Sequence, residues 1–255
     1  MKTVAFLLIF SLAPLMSSAE AIKEVAWGTE MWPGLTDRDG TGLYTHVFMA
    51  VFKSQGVRLT PQYLPFKRTI HLVDHHQLDF AGGILKDKVE GETHVQARFP
   101  ILSTPVKAFF RKITVQGQWQ GVNTIKGHKI VASPQLGEAI GLKKGEFREV
   151  DTKAQAFKMV AMGQADFYID DEREMELTIK QNKGGIQDYN EHDFGIEQVG
   201  ETDWFMIAPN NTRGKQIMEL YEKGTLQLYR SGELQKLYES RGFHVPVQVI
   251  ELSQH

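Results

Sequence analysis

Several groups of residues have the types and spacing that chemistry needs. His71 and His75 stand four apart, with Asp74 and His76 beside them. Residues at i and i+4 share a helix face, so two imidazoles there could grip zinc or copper. No third ligand is evident and HEXXH is absent, so a solvated helix face accounts for them better. Asp37, Asp39 and Gly42 have the look of the start of a calcium loop. The twelfth position of that register is Phe48, where a bidentate Glu is required, and the loop is rejected. Asp170 and Asp171 are adjacent carboxylates just after an apolar run, where they cap a helix or meet a ligand cation. Arg68 lies in the first turn of a predicted helix, where the dipole disfavours a cation. It is either an ordinary solvated side chain or the partner of an anion. Trp32 sits before Pro33 in a polar loop with little core available to it, and Phe66 follows a strand. Each is a core residue or part of a ligand site lined by aromatics.

The sequence has no G-x-S-x-G, no P-loop and no G-x-G-x-x-G. It also has no cysteine. That rules out disulfides, thiolate metal sites and a thiol nucleophile. Lys and Arg number 29 against 31 Asp and Glu, a net charge of −2. Nucleic-acid binders usually carry a basic excess, so no nucleic-acid partner is expected. No catalytic constellation assembles, so no enzyme activity, metal or cofactor is expected.

The elements that must position these residues alternate between strand and helix. Strands are predicted at 25–28, 57–64, 78–84, 106–111, 129–132, 148–150, 166–169 and 204–208. Helices are predicted at 42–53, 66–76, 135–142, 152–162, 172–181, 213–229 and 233–241. Such alternation implies mainly parallel sheets with helices on both faces. Two series of about a hundred residues each imply two lobes. Ligands of open α/β sheets sit beyond the carboxyl ends of strands. The loops of interest are therefore 29–42, 65–68, 82–88, 133–137 and 170–174.

The N-terminus has the layout of a secretory signal. Lys2 precedes an apolar run over 4–16, then small residues lead to Ala19 and Ala21. The run is shorter than the roughly 20 residues a spanning helix needs. A signal peptide over 1–21 is expected, cleaved after Ala21 or Ala19. Without cysteine the exported chain cannot be acylated as a lipoprotein. A free protein in a Gram-negative periplasm, or in the medium, follows.

The segments VAWGTEMWPGLTDRDGTGLYTHVFMAVF, YLPFKRTIHLVDHHQLDFAGGI, GHKIVASPQLGEAIGL, AFKMVAMGQADFYIDD and YEKGTLQLYRSGELQKLYESRGF occur in that order. In order and spacing the chain resembles the type II periplasmic solute-binding proteins, family 3, over 24–243. The resemblance implies an α/β fold of two Rossmann-like lobes joined by two crossover strands, near 104–109 and 200–204. Lobe 1 would comprise 22–106 and 204–255, and lobe 2 would comprise 107–203. It implies capture of a small polar solute (an amino acid, amine or related metabolite) and delivery to an ABC permease. A ligand-presenting sensor for a receptor ectodomain is the alternative. A dehydratase-like enzyme, using Glu30, Asp171 or Glu172, ranks lower. A monomer is expected.

The resemblance assigns backbone contacts to Gly82 and Gly83, and a ligand-ammonium carboxylate to Asp171. Ser133 and Gln135 are donors in a loop that reads SPQLG, where the family usually carries a Gly-Thr-Thr-like sequence. The Arg that amino-acid-binding members carry after the third strand is missing from KDKVEGETHVQAR. Lys86 and Lys88 are point charges, Arg98 comes too late, and Arg111 lies past the crossover. An amine, a peptide fragment or another small polar or aromatic metabolite therefore fits as well as an α-amino acid.

Overall fold

The computed structural model describes residues 21–85 and 93–254. The expected signal peptide, apart from Ala21, lies outside the described residues, as do Lys86 and Lys88. The elements run β1 (Glu24–Thr29), α1 (Leu43–Ser54), β2 (Arg58–Tyr63), α2 (Phe66–Asp74), β3 (Phe80–Leu85), β4 (His94–Gln96) and β5 (Leu102–Arg111). They continue with α3 (Val122–Ile125), β6 (Ile130–Ala132), α4 (Pro134–Ala139), α5 (Lys153–Ala161), β7 (Phe167–Asp171) and α6 (Glu172–Asn182). Last come β8 (Phe194–Pro209), α7 (Thr212–Arg230), α8 (Glu233–Glu239) and α9 (Val247–Ser253).

All the described strands form one sheet in the order β2-β1-β3-β8-β5-β7-β6, with β4 beside β8. β1 is parallel to β2 and β3, and β6 is parallel to β7. The expectation of a mainly parallel sheet needs correcting at the centre. β3–β8, β8–β5 and β5–β7 are all antiparallel. Those pairs involve the two strands that pass between the lobes, and no helical crossover intervenes there to impose parallel order.

β5 and β8 pair from Leu102↔Trp204 to Arg111↔Phe194, with one irregularity between Val106 and Lys107. Near the lobe 1 end of this ladder, polar side chains bond across it. Trp204 Nε1 donates to Thr104 Oγ1 at 2.9 Å, and Ser103 Oγ donates to Asp203 Oδ1 at 2.5 Å. Gln248 Nε2, from α9, donates to Asp203 Oδ2 at 3.0 Å.

Strand alternation divides the apolar residues of the second lobe. Val106, Ala108 and Phe110 of β5 join Phe167 and Ile169 of β7 in one cluster. Phe109 and Tyr168 face the other way, into a cluster with Phe157 and Met175. This is the two-residue period of a sheet covered on both faces. The first lobe is built on an aromatic core. Phe48 lies 5.0 Å from both Trp27 and Phe80 and 5.7 Å from Tyr221, between ring centroids. That core takes residues from Val25 to Leu102 and again from Met206 to Val249.

The predicted strand at 148–150 reduces to a single bridge, Val131↔Arg148. β8 begins ten residues before the predicted 204, because its first half exposes Ile196, Glu197 and Gln198 and carries no apolar alternation. There it pairs with β5 alone, as an edge strand.

α1 and α7 pack so closely that a Cβ on Gly224 would lie 2.7 Å from the Val51 carbonyl oxygen. Gly→Ala inside a helix ordinarily stabilises by about 0.5–1 kcal/mol. Here the contact is with backbone, which cannot yield as a side-chain tip does. Gly224→Ala is therefore expected to lower stability by about 1–3 kcal/mol, as overpacking does. Thermal unfolding would show a fall of several degrees, and a rise would refute this packing.

Candidate functional site

The first wall of the site is made by the loop after β1. That loop is tied to itself by three hydrogen bonds. Thr36 Oγ1 donates to the Glu30 carbonyl at 2.5 Å, and the Trp32 N–H donates to Thr36 Oγ1 at 2.8 Å. The Gly34 N–H donates to Asp37 Oδ2 at 2.6 Å. Trp32 is thereby held half-buried, its ring 5.9 Å from Phe66 and 6.5 Å from Tyr44. Gly83, at φ +76°, backs these rings. A Cβ there would come 2.8 Å from Trp32 Cζ3 and 3.0 Å from Tyr44 Cε2. Its neighbour Gly82 turns inward, where a Cβ would lie 2.7 Å from Phe48 Cε2. The two adjacent glycines therefore do different work. Arg68 is exposed at the start of α2, and its side chain has no partner among the described residues.

The second wall is the carboxyl end of β7 and the start of α6. Asp170 is buried and accepts from the Tyr168 hydroxyl, from Lys153 Nζ at 3.4 Å and from the Asp171 N–H at 3.0 Å. These donors hold it as a carboxylate against the burial that pushes its pKa up. Lys153 also donates to Glu174 at 2.8 Å. Burial opposes its charge, but Asp170 and Glu174 outweigh that and keep its pKa above the ordinary value. Asp171 makes no ion pair among the described residues, and the charge of Lys153 only partly offsets the terms that raise its pKa. Its Oδ1 accepts from the Glu174 N–H at 3.0 Å, capping α6. Burial first, then the charge of Asp170, push its pKa up to about 6.

β6 ends beside β7, with Ala132 opposite Ile169, which brings Ser133 to the same edge as Asp171. Ser133 is exposed and its Oγ accepts from the Leu136 N–H at 3.4 Å, while half-buried Gln135 stands in the first turn of α4. The two walls face each other. The phenol pKa of buried Tyr44 is raised by desolvation and then by the charge of Asp171 from the other lobe. Arg173, two residues after Asp171, stacks over Phe243 with its Cζ 5.6 Å from the ring centroid.

Trp32, Phe66, Gly83 and Asp171 thus converge, with Ser133 and Gln135 at the adjoining strand end. Tyr44, Arg173 and Phe243 are additional residues here that sequence reasoning missed. Tyr44 reads simply as a helix residue, and the other two are remote in sequence. Arg111 packs on Gly163, where a Cβ would lie 2.8 Å from its Nη1. His71 and His75 stack with ring centroids 4.0 Å apart, and no third metal-binding group joins them among the described residues. Two adjoining surface cavities of about 330 and 350 Å³ share Arg148, Met159 and Gln164 in the second lobe. None of the converging residues lines them.

No family model matches the chain, and no curated protein matches it. Solved structures do. A histidine kinase sensor domain with similarity to periplasmic binding proteins is 11% identical, with TM-score 0.65, covering 88% of this chain and 97% of that one. A structure from the glutathione import system of GshT and the cystine ABC importer TcyBC of Streptococcus mutans is 18% identical. Its TM-score is 0.62, over 89% of this chain and 98% of that one. The arginine-, lysine-, histidine-binding protein ArtJ of Geobacillus stearothermophilus is 14% identical, with TM-score 0.61, over 91% and 100%.

This chain has the periplasmic-binding-protein fold.

The raised pKa of Asp171 makes a pH-dependent prediction. A carboxyl that binds its proton more tightly when folded adds stability at low pH. That stability is lost as pH rises from about the ordinary aspartate value of 3.8 through about 6. Asp171→Asn keeps a good helix cap and removes the charge. Its melting temperature should exceed the parent's at pH 7.5 and approach it at pH 4.5. An equal difference at both pH values, by scanning calorimetry, would contradict the assignment.

Proposed function

We propose that this chain is an extracytoplasmic solute-binding protein. It captures a small polar solute between two lobes, 22–106 with 204–255 and 107–203, and hands it to an ABC permease. Residues 1–21 are the export signal in this reading. The chain then works as a free, unlipidated monomer in the periplasm. No helix among the described residues is long and apolar enough to cross a membrane.

One observation carries the reading. A shelf of Trp32 and Phe66, backed by buried Tyr44, lies on one lobe, and Arg173 brings the start of α6 on the other lobe against it, with Asp171 making no ion pair among the described residues. Such a pair suits a ligand with a positive nitrogen. The rings attract the cation with their faces and the carboxylate neutralises it. Gly83 lends backbone beside the rings, Ser133 and Gln135 lend hydrogen bonds, and Arg68 stands at the lip for an anionic group. Gly82 supports the shelf through Phe48. An amino acid, an amine or a related metabolite satisfies this chemistry. Similarity to structures of amino-acid ABC transporter binding proteins supports it.

The sensor-domain neighbour favours a second reading, in which the liganded protein is presented to a receptor ectodomain. Catalysis is not proposed. Of the two acids adjacent to Asp171, Asp170 is occupied by Lys153 and Tyr168 and Glu172 by Lys107.

A thermal-shift screen of amino acids, polyamines, short peptides and aromatic acids should find a solute that raises the melting temperature, as linkage requires. For the best hit, Trp32→Ala should weaken binding by roughly tenfold or more, as loss of a buried aromatic anchor does. Unchanged affinity in isothermal titration would remove Trp32 from the site. Retention of the liganded protein by membrane fractions holding a permease, but not by a receptor ectodomain, would decide for transport.

A further inference from the structure

Arg173 is placed against expectation. It is the second residue of α6, where the helix dipole disfavours a cation. Its neighbours do not neutralise it. Glu172 pairs with Lys107 at 3.1 Å and Glu174 with Lys153 at 2.8 Å. Arg173 makes no ion pair among the described residues. Its guanidinium instead crosses to the other lobe. It lies 5.6 Å from the centroid of Phe243 and against the Cα of Gly34. A Cβ on Gly34 would overlap it, with Cζ at 2.8 Å and Nη1 at 2.9 Å.

The seat that receives it is fixed. Gly34 is held on both sides, its N–H by Asp37 and its carbonyl by the Leu43 N–H at 3.0 Å. Its φ of +74° and its bare Cα make room that few other residues would leave. Phe243 packs against the core of the first lobe. The Arg241 side chain donates to the Thr41 carbonyl at 3.2 Å, tying that segment to the same loop. A guanidinium placed over a ring and against bare backbone offers a planar, delocalised cation that lysine lacks.

We propose that Arg173 is an interlobe latch. Its contact with Phe243 and Gly34 forms only when the lobes are closed, and it sets how long the closed state persists. The latch belongs to the two-lobed fold and does not depend on which solute is bound. An exposed cation–π contact weights an equilibrium by about two- to fivefold. That is enough to tune release without locking the protein shut.

The cysteine-free chain allows a clean test. Lys53→Cys in the first lobe and Lys144→Cys in the second, both exposed, would be its only thiols and can carry a donor and an acceptor dye. Single-molecule energy transfer is then measured with no added solute. Arg173→Ala and Phe243→Leu should each raise the open-to-closed ratio about two- to fivefold. The double variant should go no further than either single one, and Arg173→Lys should recover part of the effect at most. Melting curves of the same samples establish that each variant is folded, and Arg173→Gln substitutes for any that is not. An unchanged ratio in folded Arg173→Ala, or additive effects in the double variant, would overturn the latch. Because no ligand enters this measurement, a failed solute screen leaves its outcome intact.

Discussion

The antiparallel ladder between β5 and β8 is the constraint from which the rest of the molecule follows. It is the part of the sheet that belongs to both lobes. On one side of it β3 and β1 are added outward, and on the other β7 and β6. Two apolar cores flank it without meeting along it. The residues between them, such as Ser103, Thr104, Thr202 and Asp203, are polar or small and bond mainly to one another or to the opposite strand. A stretch with no core beneath it can change its twist at little loss of packing. The backbone bonds keep the two strands in register while it does so. The strand ends bearing Trp32 and Asp171 lie on opposite sides of this ladder.

Adjacent aspartates at the end of β7 meet opposite fates within this frame. Asp170 is closed in by Tyr168, Lys153 and a backbone N–H, and it serves the lobe. Asp171 receives one backbone N–H and the repulsion of its neighbour. Two like charges side by side in a partly dry place raise the free energy of ionising the partner with fewer donors on it. A cation arriving on Asp171 would relieve that unfavourable term. In the proposed function the same carboxylate destabilises the empty protein and favours its complex. Functional sites often depart from the stability optimum in this way.

How far this was legible in the sequence varied with the distance over which each feature is decided. The helices at α1, α2, α5, α6 and α7 follow from local periodicity and fall within a few residues of expectation. The apolar run of β5 and the entry of β8 into the first core at Trp204 are local signals of the same kind. The exposed half of β8, the three residues of β4 and the helix α9 have little apolar pattern, and their pairing or docking is tertiary. For Trp32 the sequence expects little core nearby, whereas the folded chain half-buries it against the first-lobe core. Tyr44 was not legible, since its place in the helical stripe looks the same whether it meets core or ligand. Gly82 and Gly83 are identical letters. Which of them meets the rings is settled by the phase of β3, and no local signal carries that. Arg173, Gly34 and Phe243 meet only after two lobes have folded and approached.

The split of the apolar clusters has a consequence for the order in which the chain acquires structure. Every buried member of the second-lobe clusters lies between Val106 and Val199. The first-lobe core needs Tyr221, Leu234, Tyr238 and Val249 as well as Val25 and Trp27. During synthesis or emergence across a membrane, from the N-terminus onward, the inserted lobe has all its parts first. The lobe begun earliest must wait, its aromatic half-core uncovered, until the last helices arrive. An internal unit nested within an unfinished one is thus the natural intermediate. The exposed Trp27–Phe48–Phe80 surface makes the interval before α7 docks the time when the chain most needs to be kept from other chains.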